Sequence, residues 1–291
     1  MKNNIFLNVI CVYFATFCST LLFAQAPSTS NGAKEQITQI LTPRQTSIPI
    51  TVIADRDYAP YSYVENDKPQ GFYIELFENI FQQLDTYDVT ILMLPWKRGL
   101  SMLEKGQHFA IFPPYYWPHK RPYIDRYSEA IFVEKVIPIC NKEVLERKAI
   151  LQWPAEFKNL KIGTNRGFLA PGNDFFEMVA RNEISLVETI NSTVALRMLK
   201  LKRIDCYINS KLTIEWTLNK LTAENNDVDF SANFIFSTVI SENSAYLGFA
   251  AKDNKRFAFR EDFARKVDAV IIKMKKDGKI NALLQKFITR N

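Results

Sequence analysis

Residues 50 to 76 read ITVIADRDYAPYSYVENDKPQGFYIEL. Ile50-Thr51-Val52-Ile53 is a short strand pattern, apolar enough to be buried on both faces. Ala59-Pro60 breaks it inside an aromatic cluster of Tyr58, Tyr61 and Tyr63. Glu65 to Gly71 is polar and contains the Pro and Gly that turns favour. Phe72 then opens a helix. Strand, aromatic loop, turn and helix in this order set several ring faces at the carboxyl end of a strand, where open α/β sheets bind ligands. The same rings could instead staple the turn, and the stretch by itself leaves both readings open.

Outward from it, Phe72, Leu76, Ile80, Phe81 and Leu84 recur at helical spacing, and Asp88 to Leu94 returns to a strand pattern. Such a β-α-β unit requires a parallel pair with a right-handed crossover. Lys97 to Lys105 is a helix closed by Gly106, and His108 to Phe112 is a third strand that runs into Pro113-Pro114-Tyr115-Tyr116-Trp117. Ala130 to Cys140 is a long extended run. Beyond it strands (160–163, 185–189, 204–209) alternate again with helices (to 180, 194–201, 211–221). Two late extended runs and two amphipathic helices with basic outer faces close the chain. The alternation, met twice, predicts two α/β lobes.

The 291 residues, 47% of them hydrophobic, suffice for one large or two medium cores. A net charge of +6 suits an anionic ligand or surface, and no Lys/Arg run is dense enough for nucleic acid. Lys2, the apolar run Ile5 to Ala24 and Ala24-Gln25-Ala26 form a signal-peptide pattern over residues 1–26 and predict export to the periplasm. Pro27 would follow the cut directly, and the apolar run is near bilayer-spanning length, so an uncleaved N-terminal anchor is the alternative. Residues 27–48 are a linker without periodicity. Outside the leader only Cys140 and Cys206 are left; one bridge between them would suit an oxidising compartment, but nothing in their spacing brings them together, and two separate buried thiols are the favoured reading. His108 and His119, the only histidines, are not at metal-ligand spacing. No phosphate loop, nucleophile elbow or Cys/His pair is visible, so neither metal nor cofactor is expected.

A family resemblance gathers these signals. Ala59-Pro60-Tyr61-Ser62-Tyr63 after the first strand, Gly71-Phe72-x-x-Glu75-Leu76, Leu94-Pro95-Trp96-Lys97-Arg98 and Pro118-x-x-Arg121 before Tyr127-Ser128-Glu129 follow one another in order. Lys161-Ile162-Gly163, Leu199-x-x-x-Arg203-x-Asp205 and Asp277-Gly278-Lys279-Ile280 continue the series. From about Ile50 to Ile288 the chain resembles the type II periplasmic solute-binding proteins, specifically solute-binding family 3, the amino-acid-binding-like group. The resemblance implies a two-lobed α/β fold with two crossover strands, Ile131 to Cys140 and roughly Phe234 to Asn243. Lobe one would comprise residues 49–135 and 244–291, and lobe two residues 136–243. It implies a monomeric, non-enzymatic binder that closes on a small polar, carboxylate-bearing solute and serves an ABC-type permease or a sensor in the inner membrane.

Arg121 is the first candidate, because the family's Arg in this loop pairs with a ligand carboxylate and a guanidinium can do so bidentately; the alternative is a surface Arg of a basic loop in which Lys120 or Arg126 shifts the register. Tyr58, Tyr61, Trp96 and Tyr115 are candidate walls, though core rings would look the same in sequence. In lobe two, Thr164, Arg166 and Phe168 follow a strand, and Ser192 and Thr193 open a helix whose free N–H groups favour an anion; an ordinary N-cap reads identically. Arg98, one helical turn inside, reads as structural first, with a cleft-facing position as the alternative. Where amino-acid binders of the family place a carboxylate for the ligand ammonium, this chain has Asn209 or Ser210, a departure from the pattern for α-amino acids. The alternatives are a dehydratase-like enzyme, for which Glu75 and Glu129 are the nearest carboxylates, and a membrane-tethered sensor module.

Overall fold

A computed structural model of the protein describes residues 47–146, 152–225, 230–251 and 255–290. The leader, its cleavage site and the linker as far as residue 46 lie outside the described residues. Among the described residues no helix is long and apolar enough to cross a membrane.

The opening stretch folds as β1 (Ile48–Asp55), β2 (Asp57–Tyr58), β3 (Ser62–Glu65), β4 (Lys68–Gln70) and α1 (Phe72–Phe81). β3 and β4 form a hairpin whose turn, Asn66-Asp67, has positive φ at both residues, a conformation that Asn and Asp tolerate. Gly71 sits at φ 121°, where a Cβ would come within 2.4 Å of the Tyr61 carbonyl oxygen. The approach is close because the first free N–H groups of α1 donate to this backbone, Tyr73 N–H to the Tyr61 carbonyl oxygen at 2.7 Å and Phe72 N–H to the Pro60 carbonyl oxygen at 3.0 Å. Gly71→Ala is therefore expected to cost about 2 kcal/mol and to displace the aromatic loop, read as a shift in the urea unfolding midpoint.

Next come β5 (Tyr87–Leu94), α2 (Trp96–Glu104), β6 (Ala110–Phe112) and β7 (Ile124–Tyr127). β5 pairs in parallel with β1 from Ile48↔Tyr87 to Asp55↔Leu94, completing the β-α-β unit. β8 (Val133–Asn141) leads into α3 (Lys142–Leu145), β9 (Lys161–Asn165), α4 (Asn173–Ala180), β10 (Ser185–Thr189), α5 (Ser192–Lys200), β11 (Cys206–Ser210) and α6 (Lys211–Asn225). β12 (Phe234–Phe236), β13 (Ser241–Ser244), β14 (Gly248–Ala250), α7 (Arg260–Lys276) and α8 (Lys279–Arg290) finish the chain.

Two sheets result, one in the order β5-β1-β6-β14-β7 and the other β10-β9-β11-β8-β12, with β13 on β8. Each is covered on both faces, as the period-2 alternation of its strands requires. In β1, Val52 and Ala54 join the core under α1, α7 and α8, while Ile53 joins Leu100 and Leu103 of α2. In β8, Val136 and Cys140 face one way and Ile137 and Ile139 the other. The architecture is two α/β lobes. The chain passes between them twice, along β8 and β13, which pair antiparallel from Val136↔Ser241 to Val133↔Ser244. The expected second crossover is thus shifted: β12 pairs deep in lobe two, and only β13 runs back beside the start of β8.

The cysteine expectation is corrected. Cys140 and Cys206 are disulfide-bonded. Antiparallel β8 and β11 place them directly opposite each other with Cα atoms 4.0 Å apart, a proximity set by strand register and not by the 66-residue separation.

Candidate functional site: an aromatic cleft between the lobes

The carboxyl ends of β1, β5 and β6 and the turn after β9 converge on one inner cavity of about 30 Å³. It is lined by Asp55, Tyr58, Trp96, Pro113, Tyr115, Trp117, Arg121, Phe168, Leu169 and Ala170. Arg121 is buried, with its guanidinium 5.3 Å from the Trp96 ring centroid, and its Nη2 donates to the Gly167 carbonyl oxygen at 3.0 Å. That bond crosses from lobe one to lobe two. Phe168 enters the same gap from lobe two, edge-on to Tyr58 at 5.3 Å and to Trp96 at 6.4 Å. The Trp117 indole N–H is buried with no hydrogen-bond partner. Asp55, the last residue of β1, is 2% exposed, and its Oδ1 accepts the Asp57 N–H at 3.0 Å. Burial outweighs that bond and pushes the carboxyl up to about 8.

Behind this cavity, where the chain crosses between lobes, sits a second buried carboxylate. Glu134, on β8, is 1% exposed. It accepts hydrogen bonds from three phenols of lobe one: Tyr58, Tyr73 at 2.6 Å and Tyr115 at 2.9 Å. Burial raises the Glu134 carboxyl to about 7 although these donors pull the other way. Burial first, and the Glu134 charge second, hold the three phenols well above their usual value, so they stay neutral donors. Tyr61 bridges the lobes beside them, 2.9 Å from Ser210 Oγ at the end of β11.

Outside the inner cavity lies a larger one of about 440 Å³, lined by Asp55, Asp57, Pro95, Trp96, Lys97, Arg98, Asn165, Arg166, Phe168 and Ile190. Asp55, Trp96 and Phe168 line both.

Of the residues singled out in the sequence, the inner cavity brings together Tyr58, Trp96, Tyr115, Arg121 and Phe168, and the outer one adds Arg166. Tyr61 lies behind the wall. Ser192 and Asn209 are not at the cleft surface; they are buried inside lobe two, bonded to the Tyr207 hydroxyl at 2.9 and 2.6 Å. Thr164 is buried and Thr193 half-buried, and neither lines either cavity. The N-cap at the start of α5 is Asn191, whose Oδ1 accepts the Val194 N–H, so local capping accounts for that motif. Tyr63 turns away from its two neighbours and packs on Trp216 of lobe two. Arg98 is exposed and lines the outer cavity, the cleft-facing alternative and not the structural role. Glu75 pairs with Lys286 and Glu129 is exposed, so neither serves as a cleft acid. Among the described residues the carboxylates lining the two cavities are Asp55 and Asp57, and Glu134 lies behind the inner one. Asp55 was legible only as the last residue of a strand; Glu134, inside the apolar run of β8, carried the usual signal of a charge where a buried strand should have none. Among the described residues no cluster of His, Cys, Asp or Glu could hold a metal ion.

This geometry can be set beside known proteins. No match is found among curated protein sequences. Solved structures of the same fold include a histidine kinase sensor domain with similarity to periplasmic binding proteins (TM-score 0.65, 17% identity, covering 84% of this chain and 97% of the other). Another comes from work on glutathione import via GshT and the cystine ABC importer TcyBC of Streptococcus mutans (TM-score 0.66, 17% identity, 84% and 96% covered). A third is the ancestral amino acid-binding protein AncCDT-1, a precursor of cyclohexadienyl dehydratase (TM-score 0.62, 14% identity, 82% and 95% covered). At these identities the likeness is one of fold. The family model for bacterial extracellular solute-binding proteins, family 3, matches residues 50–290, which is nearly all of the described structure. Two lobes, two crossing strands and an aromatic cleft between them agree with that match: the chain belongs to the bacterial extracellular solute-binding proteins, family 3.

Proposed function

We propose that the chain captures a small, amino-acid-like solute bearing a carboxylate between its lobes in the periplasm, and presents it as a monomer to an importer permease or a sensor. The observation that carries this reading is the buried Arg121 guanidinium in an aromatic cavity between the lobes. With the unpartnered Trp117 N–H it supplies donors for an anion where water is largely excluded. Asp55 on the same wall suits a solute cation, since an ammonium beside it would restore the carboxylate that burial disfavours. The missing lobe-two carboxylate at Asn209 would thus be replaced from lobe one.

A thermal-shift and calorimetric panel of amino acids, organic acids and small peptides tests the reading. At least one carboxylate-bearing solute is expected to stabilise the protein. Arg121→Ala is expected to weaken that binding about thirtyfold, which corresponds to roughly 2 kcal/mol for hydrogen bonds to a charged group. A panel without any stabilising solute, or unchanged affinity in Arg121→Ala, would count against it.

One observation favours a second reading, an enzyme on this fold. Asp55 is protonated near neutral pH and lies in the cavity wall, the position of a general acid. Turnover of a bound organic acid, lost in Asp55→Asn with binding retained, would establish it.

A further inference from the structure

The sheet of lobe one has an open edge. Among the described residues β5 pairs only with β1, at the end of the order β5-β1-β6-β14-β7. Ile48 N–H donates to the Thr86 carbonyl oxygen at 2.9 Å and Arg56 N–H to that of Leu94 at 3.0 Å, which fixes the phase of the parallel ladder at both ends. Asp88, Thr90, Leu92 and Leu94 therefore turn their backbone groups to β1. Those of Val89, Ile91 and Met93 point outward with no described strand beside them, roughly 20 Å of template for another chain. A groove of about 520 Å³ runs along this edge, walled by Phe81 and Leu84 at the end of α1, by Pro69 of β4 and by Val89 and Ile91 themselves.

The groove is acidic. Glu78, Asp85 and Asp88 line it, all three exposed, and among the described residues no Lys or Arg does. The flanking charges leave that sign intact. Asp67 and Lys68, at the hairpin turn beside Pro69, cancel. Lys266, bonded to Thr86 between Asp85 and Tyr87, shares Asp262 with Arg265 and brings one positive charge in excess. A negative balance remains, on a chain whose net charge is +6. A second copy of this chain is a poor occupant, because pairing edge to edge would set the same carboxylates against each other. A strand carrying Lys or Arg meets the opposite sign, and its apolar side chains meet Phe81, Leu84 and Val89.

We propose that the β5 edge takes up an extended cationic segment of a partner protein as an added strand, one in which Lys or Arg alternates with apolar residues. Backbone bonds to Val89, Ile91 and Met93 supply the affinity, and the three acids select the sign of the partner. No residue lining this groove lines the inner or the outer cavity, so the inference stands apart from the binding proposed at Arg121.

Calorimetric titration of the protein with acetyl-Lys-Val-Lys-Val-Lys-amide and its Gln-for-Lys counterpart tests it; the capped ends bring no carboxylate to Arg121. The Lys peptide is expected to bind about tenfold or more tightly than the Gln peptide, with the ratio shrinking as ionic strength rises, because the acids are exposed. Two further Lys peptides, one N-methylated on its Val amides and one on its Lys amides, separate strand pairing from charge attraction. Only the peptide whose methyl groups face the edge should lose binding, by about tenfold or more, since alternate amides of a strand point to opposite sides. The double variant Glu78→Lys/Asp85→Lys is expected to erase the preference for Lys. Lys and Gln peptides of equal affinity, no binding of either, N-methyl peptides that behave alike, or an unchanged preference in the double variant each overturn the inference. So does a wild-type dimer that protects the β5 amides from hydrogen exchange, because a second copy would then hold the edge.

Discussion

The paired variant Cys140→Ala/Cys206→Ala is expected to lose about 4 kcal/mol of stability, from the loop-closure entropy of a bridge spanning 66 residues. The closed loop holds β9, α4, β10 and α5, which is most of lobe two and includes Phe168. Both sulfurs are buried in the same apolar cluster as Phe157 and Phe175, so alanine leaves small voids but no unsatisfied polar group. The loss should fall on lobe two. Urea unfolding followed by hydrogen exchange should show amides of β9 to β11 losing protection while those of β1 and β5 keep theirs. Dithiothreitol should reproduce the effect in the wild type and do nothing to the variant. A midpoint shift below that of about 1 kcal/mol would mean that the bridge contributes little to the folded lobe.

The second large effect concerns pH. Glu134 titrates near 7 when folded, against its ordinary 4.5. The folded state therefore binds the proton more tightly, and the stability linked to it is fully present below about pH 4.5. It falls away as pH rises through 7, by about 3 kcal/mol in all. Asp55, raised to about 8, acts in the same direction. Melting temperatures should accordingly decline from pH 5 to pH 8. Glu134→Gln keeps an acceptor oxygen for the phenols of Tyr58, Tyr73 and Tyr115 but cannot ionise, so its profile should be flatter, with the variant gaining on the wild type at pH 8. Parallel profiles for the two proteins would show that the carboxylate ionises without cost in its cage. Because Tyr58 and Tyr115 also line the inner cavity, the same titration should alter solute affinity.

Why some of this was readable and some was not follows from the range of the interactions. β1, α1 and β5 announce themselves because apolar period and turn chemistry are local, and Arg121 and Trp96 follow from motifs with fixed neighbours. β7, Ile124–Tyr127, has only Ile124 fully buried and reads as polar loop; it exists because β14 arrives from more than a hundred residues away to pair with it. Cys140 and Cys206 meet through a strand register that no spacing encodes. Ser192 and Asn209 stood at the right strand and helix ends, but the Tyr207 hydroxyl holds them inside lobe two. Tyr61, Thr164 and Thr193 share the composition of a wall without its position. Glu134 stood out as an acid in an apolar strand, but its partners did not: the three tyrosines that converge on it come from elsewhere in the chain.

The bond from Arg121 Nη2 to the Gly167 carbonyl makes one side chain both latch and hook. A solute that seizes the whole guanidinium must first unfasten the lobes, so capture and closure then compete for the same donor and the competition is subtracted from affinity. A solute that approaches only Nε and Nη1 leaves the latch fastened, and its own contacts add to those already holding the cleft shut. The approach angle of a single carboxylate, more than its charge, would then decide whether the protein releases its cargo quickly or retains it.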